Sequence, residues 1–372
     1  MAGGGPGAFI GPVHRMAAEL DGKIRLVAGA FSRDATRNAE AARAWGVAPD
    51  RAYVSVDALI AGETSRPDGA ELLAVTTPNH LHFAQSAAAL KAGLHVMSDK
   101  PATLTLQEAR DLADVVAASG RLYGLTYVYT GYPMVREARE IVARGDLGGI
   151  RKVVVEYAQG WLSEPLERTG SKQAEWRADP AQAGVGGCIA DIGVHAFNLA
   201  EFVTGDRVSR LCADVAAVVP GRTLDDDCNI LLRFAGGARG VLIASQISAG
   251  ARNGLNIKVY GERGGLYWSH ERHTELVVDW LDGPSQVLHA ASPYLGAASR
   301  AATRIPTGHP EGFIEAFANL YGDLADAIVA GRTDPGLVPG IADGVRGMAF
   351  VEQAVAASRE GAGWVELAGG LQ

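Results

Sequence analysis

Short apolar runs separated by helix-like stretches set the rhythm of the first third of the chain. Residues 24–30, 71–76, 94–97 and 122–127 are brief and apolar, while 12–20, 35–45, 81–92 and 106–118 carry the Ala-rich or amphipathic spacing of helices. Gly93 and Gly120 stand where helix C-caps are expected. This alternation predicts a parallel sheet with helices on both faces. After about Tyr132 the rhythm changes. A helix at 134–143, closed by Gly145, leads into strands at 151–159, 207–219, 229–234, 239–245, 255–260, 265–268 and 274–280. Gly236 and Gly237, between two of these runs, are a hairpin signal. Such strands predict a largely antiparallel sheet. A helical stretch at 189–203 interrupts them, and helices at 311–330 and 338–358 follow. The expected organisation is α/β in two domains. The first covers 1–128, and the second covers 129–372 and includes the C-terminal helices; the boundary lies between 122 and 132.

Length and composition agree with this picture. A chain of 372 residues exceeds one ordinary core. With 48% hydrophobic and 20% charged residues it reads as a soluble globular protein. The formal net charge is −8, and no basic stripe with interleaved aromatics is present, which argues against a nucleic-acid partner. Cys188, Cys212 and Cys228 have neither disulfide-framework nor zinc spacing, and they read as free thiols in a reducing cytoplasm. No leader pattern is read at the N-terminus, and no apolar run approaches the ~20 residues of a membrane span.

Candidate chemistry begins with the glycine loop before the first helix. Gly5, Gly7 and Gly11, with Ile10 among them, can bring backbone N–H groups to a pyrophosphate at a helix N-terminus. The spacing is not a clean G-x-G-x-x-G, but the end of the strand at 24–30 follows at about the distance a dinucleotide-binding unit requires. Only Met1 and Ala2 precede the loop where a central strand is expected, so a start upstream of Met1 is expected. After the strand at 24–30 no acidic residue waits for a ribose hydroxyl. Ser32 and Arg33 stand there, with Arg37 nearby, and the cofactor reading of NAD or NADP leans slightly to NADP.

Thr77, Pro78, Asn79 and His82 follow the second apolar run and open a helix, where a doubly wound sheet presents its ligand contacts. Asn79 also suits a plain helix cap. Asp99, Lys100 and Pro101 follow the third run, so Lys100 is placed to reach into a crevice at the strand's C-terminal end. If 189–203 is helical, Asp191, His195 and Asn198 form one polar stripe on an apolar helix, and such a stripe is costly unless it lines a site. No third ligand accompanies the Asp–His pair, so no metal is expected. Tyr127 and Trp161 can stack on a sugar ring or simply pack. His309 precedes a helix and reads as a capping turn or a substrate contact. The acidic triplet Asp225–Asp227 reads as a solvated turn.

The ordered set formed by the Gly5–His14 loop, Thr77-Pro78-Asn79 with His82, Asp99-Lys100-Pro101, and Gly186-Gly187 leading to Asp191 and His195 resembles the glucose–fructose oxidoreductase, inositol dehydrogenase and rhizopine-catabolism (Gfo/Idh/MocA) family over nearly the whole chain. The resemblance implies an N-terminal Rossmann domain, its first strand apparently truncated, and a C-terminal α/β domain with a large, mostly antiparallel sheet. Homodimers or homotetramers pairing through that sheet are implied too. It further implies NAD(P)-dependent hydride transfer at a secondary alcohol or ketone of a sugar, cyclitol or glycoside. Lys100 then matches the lysine that polarises the reacting hydroxyl, His195 the acid/base and Asp191 a positioning carboxylate. Asp99 stands where the family has glutamate, and Asn198 where many members have aspartate; both point to a subfamily with its own substrate. Two other readings share the fold: a dinucleotide or sugar sensor without catalysis, and an NAD-dependent glycosidase working by redox elimination.

Overall fold

The computed structural model describes residues 1–168 and 180–368. They divide into two compact units: Met1–Val128 with Phe313–Val345, and Tyr129–Gly312 with the chain from Arg346 onward.

In the first unit, strands β1 (Ala2–Gly3), β2 (Leu72–Thr76), β3 (His95–Ser98) and β4 (Tyr123–Leu125) lie parallel in that order. Helices α1 (Ile10–Glu19), α2 (Ala35–Ala44), α3 (Val56–Thr64), α4 (His82–Lys91) and α5 (Leu106–Ser119) connect them. The register aligns the strands' C-terminal ends. Gly3 pairs with Thr76, Val75 with Ser98, and Ser98 with Leu125. The loops that leave these residues therefore emerge along one edge, where a parallel sheet receives its ligands.

The run at 24–30, expected to be a strand, extends the sheet only through single bridges of Ala30 to Ala2 and of Gly29 to Ala52. Its bonds to the first strand are confined to residues 28–30: Met1 N donates to Ala28 O, Ala30 N to Met1 O and Gly3 N to Ala30 O. Residues 24–27 consequently have no ladder on that side. α3 was not foreseen from the pattern; Ser55 caps it by accepting from Ala58 N at 3.1 Å. The helix Phe313–Val329, expected in the second domain, belongs to the first unit. Its buried face meets α1, where Tyr321 Oη lies 2.7 Å from His14 Nδ1 and the Phe317 ring lies 5.1 Å from the His14 ring.

The second unit opens with α6 (Pro133–Ala143) and holds a sheet of nine strands among the described residues. These are β5 (Lys152–Ala158), β6 (Val208–Ala216), β7 (Asp227–Phe234), β8 (Arg239–Ser245), β9 (Gly254–Tyr260), β10 (Gly264–Ser269), β11 (Glu275–Trp280), β12 (Gln286–His289) and β13 (Val365–Glu366). Their order is β12-β11-β10-β9-β5-β8-β7-β6-β13, antiparallel except for the parallel pair β5–β8. The β7–β8 hairpin closes over Gly236 and Gly237, with Phe234 N donating to Ala238 O at 3.0 Å. The edge strands β12 and β13 were not expected; both are short, and neither has the alternating burial that marks an interior strand.

Alternate residues of the interior strands, such as Val153, Val155, Ile230, Leu232, Ile257 and Val259, are buried on one face. The helix Val194–Thr204 packs on that face, and nine of its residues are buried. Glu201 on this helix is buried and ion-paired with Arg346, whose Nη2 also donates to Val208 O at 2.7 Å. Glu201 Oε1 accepts from Val208 N at 2.8 Å. The pair locks the helix to the start of β6. Removing Arg346 leaves the buried Glu201 carboxylate with only Arg207 and Val208 N as donors. Arg346→Met is expected to cost about 3 kcal/mol or more of unfolding free energy, read by urea denaturation.

Candidate functional site

The glycine loop turns sharply between β1 and α1. Gly3 and Gly4 have φ of 84° and 79°, and Gly7 has 86°. A Cβ on Gly5 would lie 2.4 Å from Phe31 O, and one on Gly11 would lie 2.2 Å from Gly4 Cα. Those two glycines are needed for close backbone approach, whereas the space beside Gly7 is open for 4 Å. The loop hands over to α1 at Ile10. Gly5, Gly7, Ile10 and Gly11 thus form the turn from β1 into the N-terminus of α1. The sequence reading passed over Gly3 and Gly4, whose positive φ values build the same turn.

Ser32 is half-buried and Arg33 and Arg37 are exposed, ahead of and within α2; Asp34 caps that helix by accepting from Arg37 N. Thr77, Pro78 and Asn79 leave the end of β2, and Thr77 Oγ1 donates to Gln85 Oε1 at 2.7 Å. His82, expected at the cofactor, is turned inward. Its Nδ1 lies 2.7 Å from Pro101 O and its Nε2 2.7 Å from Thr77 O. With both ring nitrogens on carbonyl oxygens and 1% of its surface exposed, it ties the β2 loop to the β3 loop.

Asp99 anchors the β3 loop. Its Oδ1 accepts from Lys100 N and from Thr126 Oγ1, each at 2.9 Å, and lies 3.9 Å from His14 Nε2. Burial raises the carboxyl, but the facing His14, the Lys100 charge and His82 outweigh it and hold Asp99 below the ordinary carboxylate range. Lys100 itself is half-buried at the strand's end. Tyr127, at 1% exposure, is packed into the fold.

In the second unit, the chain before Val194 winds as a π-helical turn, Ile189–Gly193, rather than the ordinary helix expected. Val194 N reaches back five residues to Ile189 O. Wide turns of this kind recur at functional sites. The turn is pinned from outside by Asp225, whose carboxylate accepts from Gly187 N at 2.6 Å and Ile189 N at 2.7 Å. Gly187 permits that approach, since a Cβ there would lie 2.3 Å from Asp225 O. The acidic triplet is therefore not a solvated turn. Asp225 holds the π turn, and buried Asp226 accepts from Val218 N, Val219 N and Arg222.

Asp191 and His195 lie one turn apart, and Asn198 follows, buried, a turn further on. The His195 ring meets the Tyr129 ring edge-on at 5.1 Å and tilts against Tyr157 at 6.3 Å. Gln246 Nε2 donates to Asp191 Oδ2 at 2.8 Å, and it lies 3.4 Å from Gln159 Oε1. Trp161 Nε1 donates to Gln159 Oε1 at 3.0 Å, which places Trp161 on the Asp191 network. From Gln159 the network runs to Asn253 Oδ1 at 2.9 Å. It continues to the hydrogen-bonded Tyr129–Tyr157 pair and to His270, which is 3.0 Å from Tyr132 Oη. Burial pushes Tyr129 up to about 12 and Tyr157 well above its ordinary value, and it lowers His270, so all three are neutral near pH 7.

Gln246, Gln159, Asn253 and His270 were not singled out in the sequence; neutral polar residues after apolar strands carry no local signal. His309 lies apart from this network, exposed in a turn with its Nδ1 3.2 Å from Pro306 O. The described residues contain no group of three or more His, Cys, Asp or Glu able to hold a metal. No helix among them is long and apolar enough to cross a membrane.

A family model described as an oxidoreductase family with an NAD-binding Rossmann fold matches residues 3–127, and one described as the GFO/IDH/MocA C-terminal domain matches residues 135–267. An uncharacterized oxidoreductase of Bacillus subtilis is 32% identical over 98% of this chain and 95% of its own. An inositol dehydrogenase homologue from Azotobacter vinelandii, solved with NAD+, superposes with a TM-score of 0.94 at 39% identity, covering 98% of this chain and 96% of that one. The same homologue, solved with NADH and myo-inositol, gives a TM-score of 0.90 at 37% identity, with 98% and 96% covered.

Two expected outcomes follow from this geometry. Tyr321→Phe removes the partner of His14 Nδ1 and should cost about 1–3 kcal/mol, seen as a lowered Tm. Asp225 responds to pH. Burial, reinforced by the Asp226 charge, outweighs its two backbone donors and pushes it up to about 6 from 3.8. The folded chain thus holds this proton more tightly than the unfolded one, and its stabilising effect is full below about pH 4 and lost as pH rises through 6. Asp225→Asn should flatten that part of a stability–pH curve measured by denaturation from pH 4 to 7.

Proposed function

The chain belongs to the GFO/IDH/MocA family of oxidoreductases, and from that premise we propose that it transfers a hydride between NAD(H) and a secondary hydroxyl of a neutral, hydroxyl-rich ring such as a cyclitol or sugar. The observation that carries this reading is half-buried Asp191 and buried His195, one turn apart and set beside neutral donors and acceptors. Among the described residues, the hydrogen bonds that run from Asp191 to His270 pass through amides, tyrosines and an indole, groups that suit uncharged hydroxyls. The homologue solved with myo-inositol supports the same class.

The first unit fits a dinucleotide. Gly7 leaves open space at the N-terminus of α1, and the loops after β2 and β3 leave the same sheet edge. Bound there, the nicotinamide supplies the hydride acceptor or donor. His195 removes the hydroxyl proton, Lys100 steadies the developing alkoxide by its positive charge, and Asp191 holds the substrate. Asp99 and His82 fix the loop that presents Lys100. Thr77, Pro78 and Asn79 line the cofactor side, and Trp161 offers a ring for stacking.

NAD(H) is favoured over the NADP reading of Arg33 and Arg37. Both arginines are exposed on α2 and its approach, and the homologues solved with cofactor hold NAD+ or NADH. A dimer or tetramer would use the outer sheet face, where Leu231 on β7 and Tyr260 on β9 are exposed.

The test is NAD(P)H absorbance with a panel of inositols, sugars and glycosides. Stoichiometric reduction is expected, with kcat/KM higher for NAD than for NADP. Release of aglycone without net reduction marks a glycosidase instead, and no turnover at all marks a sensor. Lys100→Ala, His195→Ala and Asp191→Asn should each lower kcat by about 100-fold or more. Rates within a few-fold of wild type would refute the assignment.

A further inference from the structure

Gln246 follows β8 and has 1% of its surface exposed. Its backbone is held on both sides: its N–H donates to Asp226 O at 2.9 Å, and its C=O accepts from Leu162 N at 3.0 Å. The main chain is thus fixed, and the buried side chain is directed by what its amide meets. Its amide nitrogen has two protons and two acceptors facing it, Asp191 Oδ2 at 2.8 Å and Gln159 Oε1 at 3.4 Å. Gln159 Oε1 also accepts from Trp161. Both neighbours of the Gln246 amide nitrogen are oxygens, so the amide cannot be turned over without setting oxygen against oxygen.

We propose that Gln246 is the positioning residue for Asp191: its amide holds the carboxylate at a fixed angle and couples it, through Gln159, to the indole of Trp161, so that a hydroxyl and the ring bearing it are received by one rigid unit. This rests on the assignment of Asp191 to the substrate. Other titratable groups surround the carboxylate. Tyr129 and Tyr157 of the aromatic cluster and Cys188 at the start of the turn feel its charge. His195 lies one helical turn on, and Asp225 caps the same π turn. A neutral amide donor can hold a carboxylate in a fixed direction without itself adding a cation.

Two variants of similar shape separate positioning from packing. Gln246→Met keeps the length and removes both donors. Gln246→Glu keeps the shape but sets a second carboxylate against Asp191, and two carboxylates at that range share a proton. With Gln246→Met, kcat/KM for the ring substrate should fall about 10-fold or more, mainly through KM, while the Kd for NADH measured by fluorescence stays at the wild-type value. With Gln246→Glu, the acidic limb of the kcat/KM profile should move to higher pH by about one unit or more, and activity should recover as pH rises. Loss of packing alone would lower the rate without moving that limb. A Gln246→Glu profile that coincides with wild type, in a protein whose Asp191→Asn variant is inactive, overturns the proposal. So does an unchanged substrate KM in Gln246→Met, which decides the matter should the glutamate variant not fold. An Asp191→Asn variant of wild-type activity instead refutes the premise, and the proposal with it.

Discussion

A carboxylate taken out of water must be given donors, and the places where this chain supplies them determine where its functional residues sit. Glu201 is met by Arg346, Arg207 and a backbone N–H. Asp226 is met by Arg222 and two backbone N–H groups. Asp225 takes two backbone donors and Asp99 a backbone N–H and a hydroxyl, whereas Asp191 has the amide of Gln246. These acids do different work. Glu201 locks the helix to the start of β6, Asp225 pins the π turn, and Asp226 ties down the loop before β7. The fourth fixes the loop that carries Lys100. The last faces the neutral network. Without the locking acids, the stripe of Asp191 and His195 would have no fixed height above β8 and β9.

The donors come from far along the chain, and this makes close backbone approach a second requirement. Asp225 reaches the π turn because residue 187 has no side chain to hold it off. The pyrophosphate turn closes because residues 5 and 11 have none either. In both places, glycine removes a steric barrier so that a charge, fixed or bound, can meet N–H groups. The two cradles use the same chemistry in opposite senses. On the proposed reading the N–H groups at α1 serve a ligand, while at the π turn the protein's own aspartate takes that position.

The parts of this arrangement that could be read in the sequence are those with a local signature. Lys100 was legible because it ends an apolar run and precedes proline, and register then places that run's end beside those of β2 and β4. Asp191 and His195 were legible because a four-residue step puts them on one face, and the wider π turn preserves that relation. The helix Phe313–Val329 was legible as a helix but was placed in the wrong domain. Its apolar face does not say which surface it covers, and only the His14–Tyr321 contact reveals the partner. His82 looked like a ligand contact because of where it starts a helix, yet two carbonyl oxygens claim its ring. The acidic triplet looked solvated because adjacent acids usually repel into water. Here Asp225 and Asp226 turn to different donors, and their neighbour opens β7. Gln246, Gln159 and Asn253 had no signature, because what distinguishes them is only what they touch.

That last group decides the character of the site. Burial keeps Tyr129 and Tyr157 protonated and His270 neutral, so the network offers hydroxyl, amide and imidazole groups without fixed charge. Within it, Asp191 is the carboxylate, and Gln246 donates to it. A neutral network binds through direction rather than attraction, since each hydrogen bond contributes little beyond what water offers and a misplaced hydroxyl leaves a buried partner unsatisfied. On the proposed reading, discrimination among stereoisomers of a hydroxylated ring follows from the rigidity of this network more than from its affinity. The hydrogen bonds that link Asp191 to Trp161 by way of two amides are the part of the chain best built to provide that rigidity.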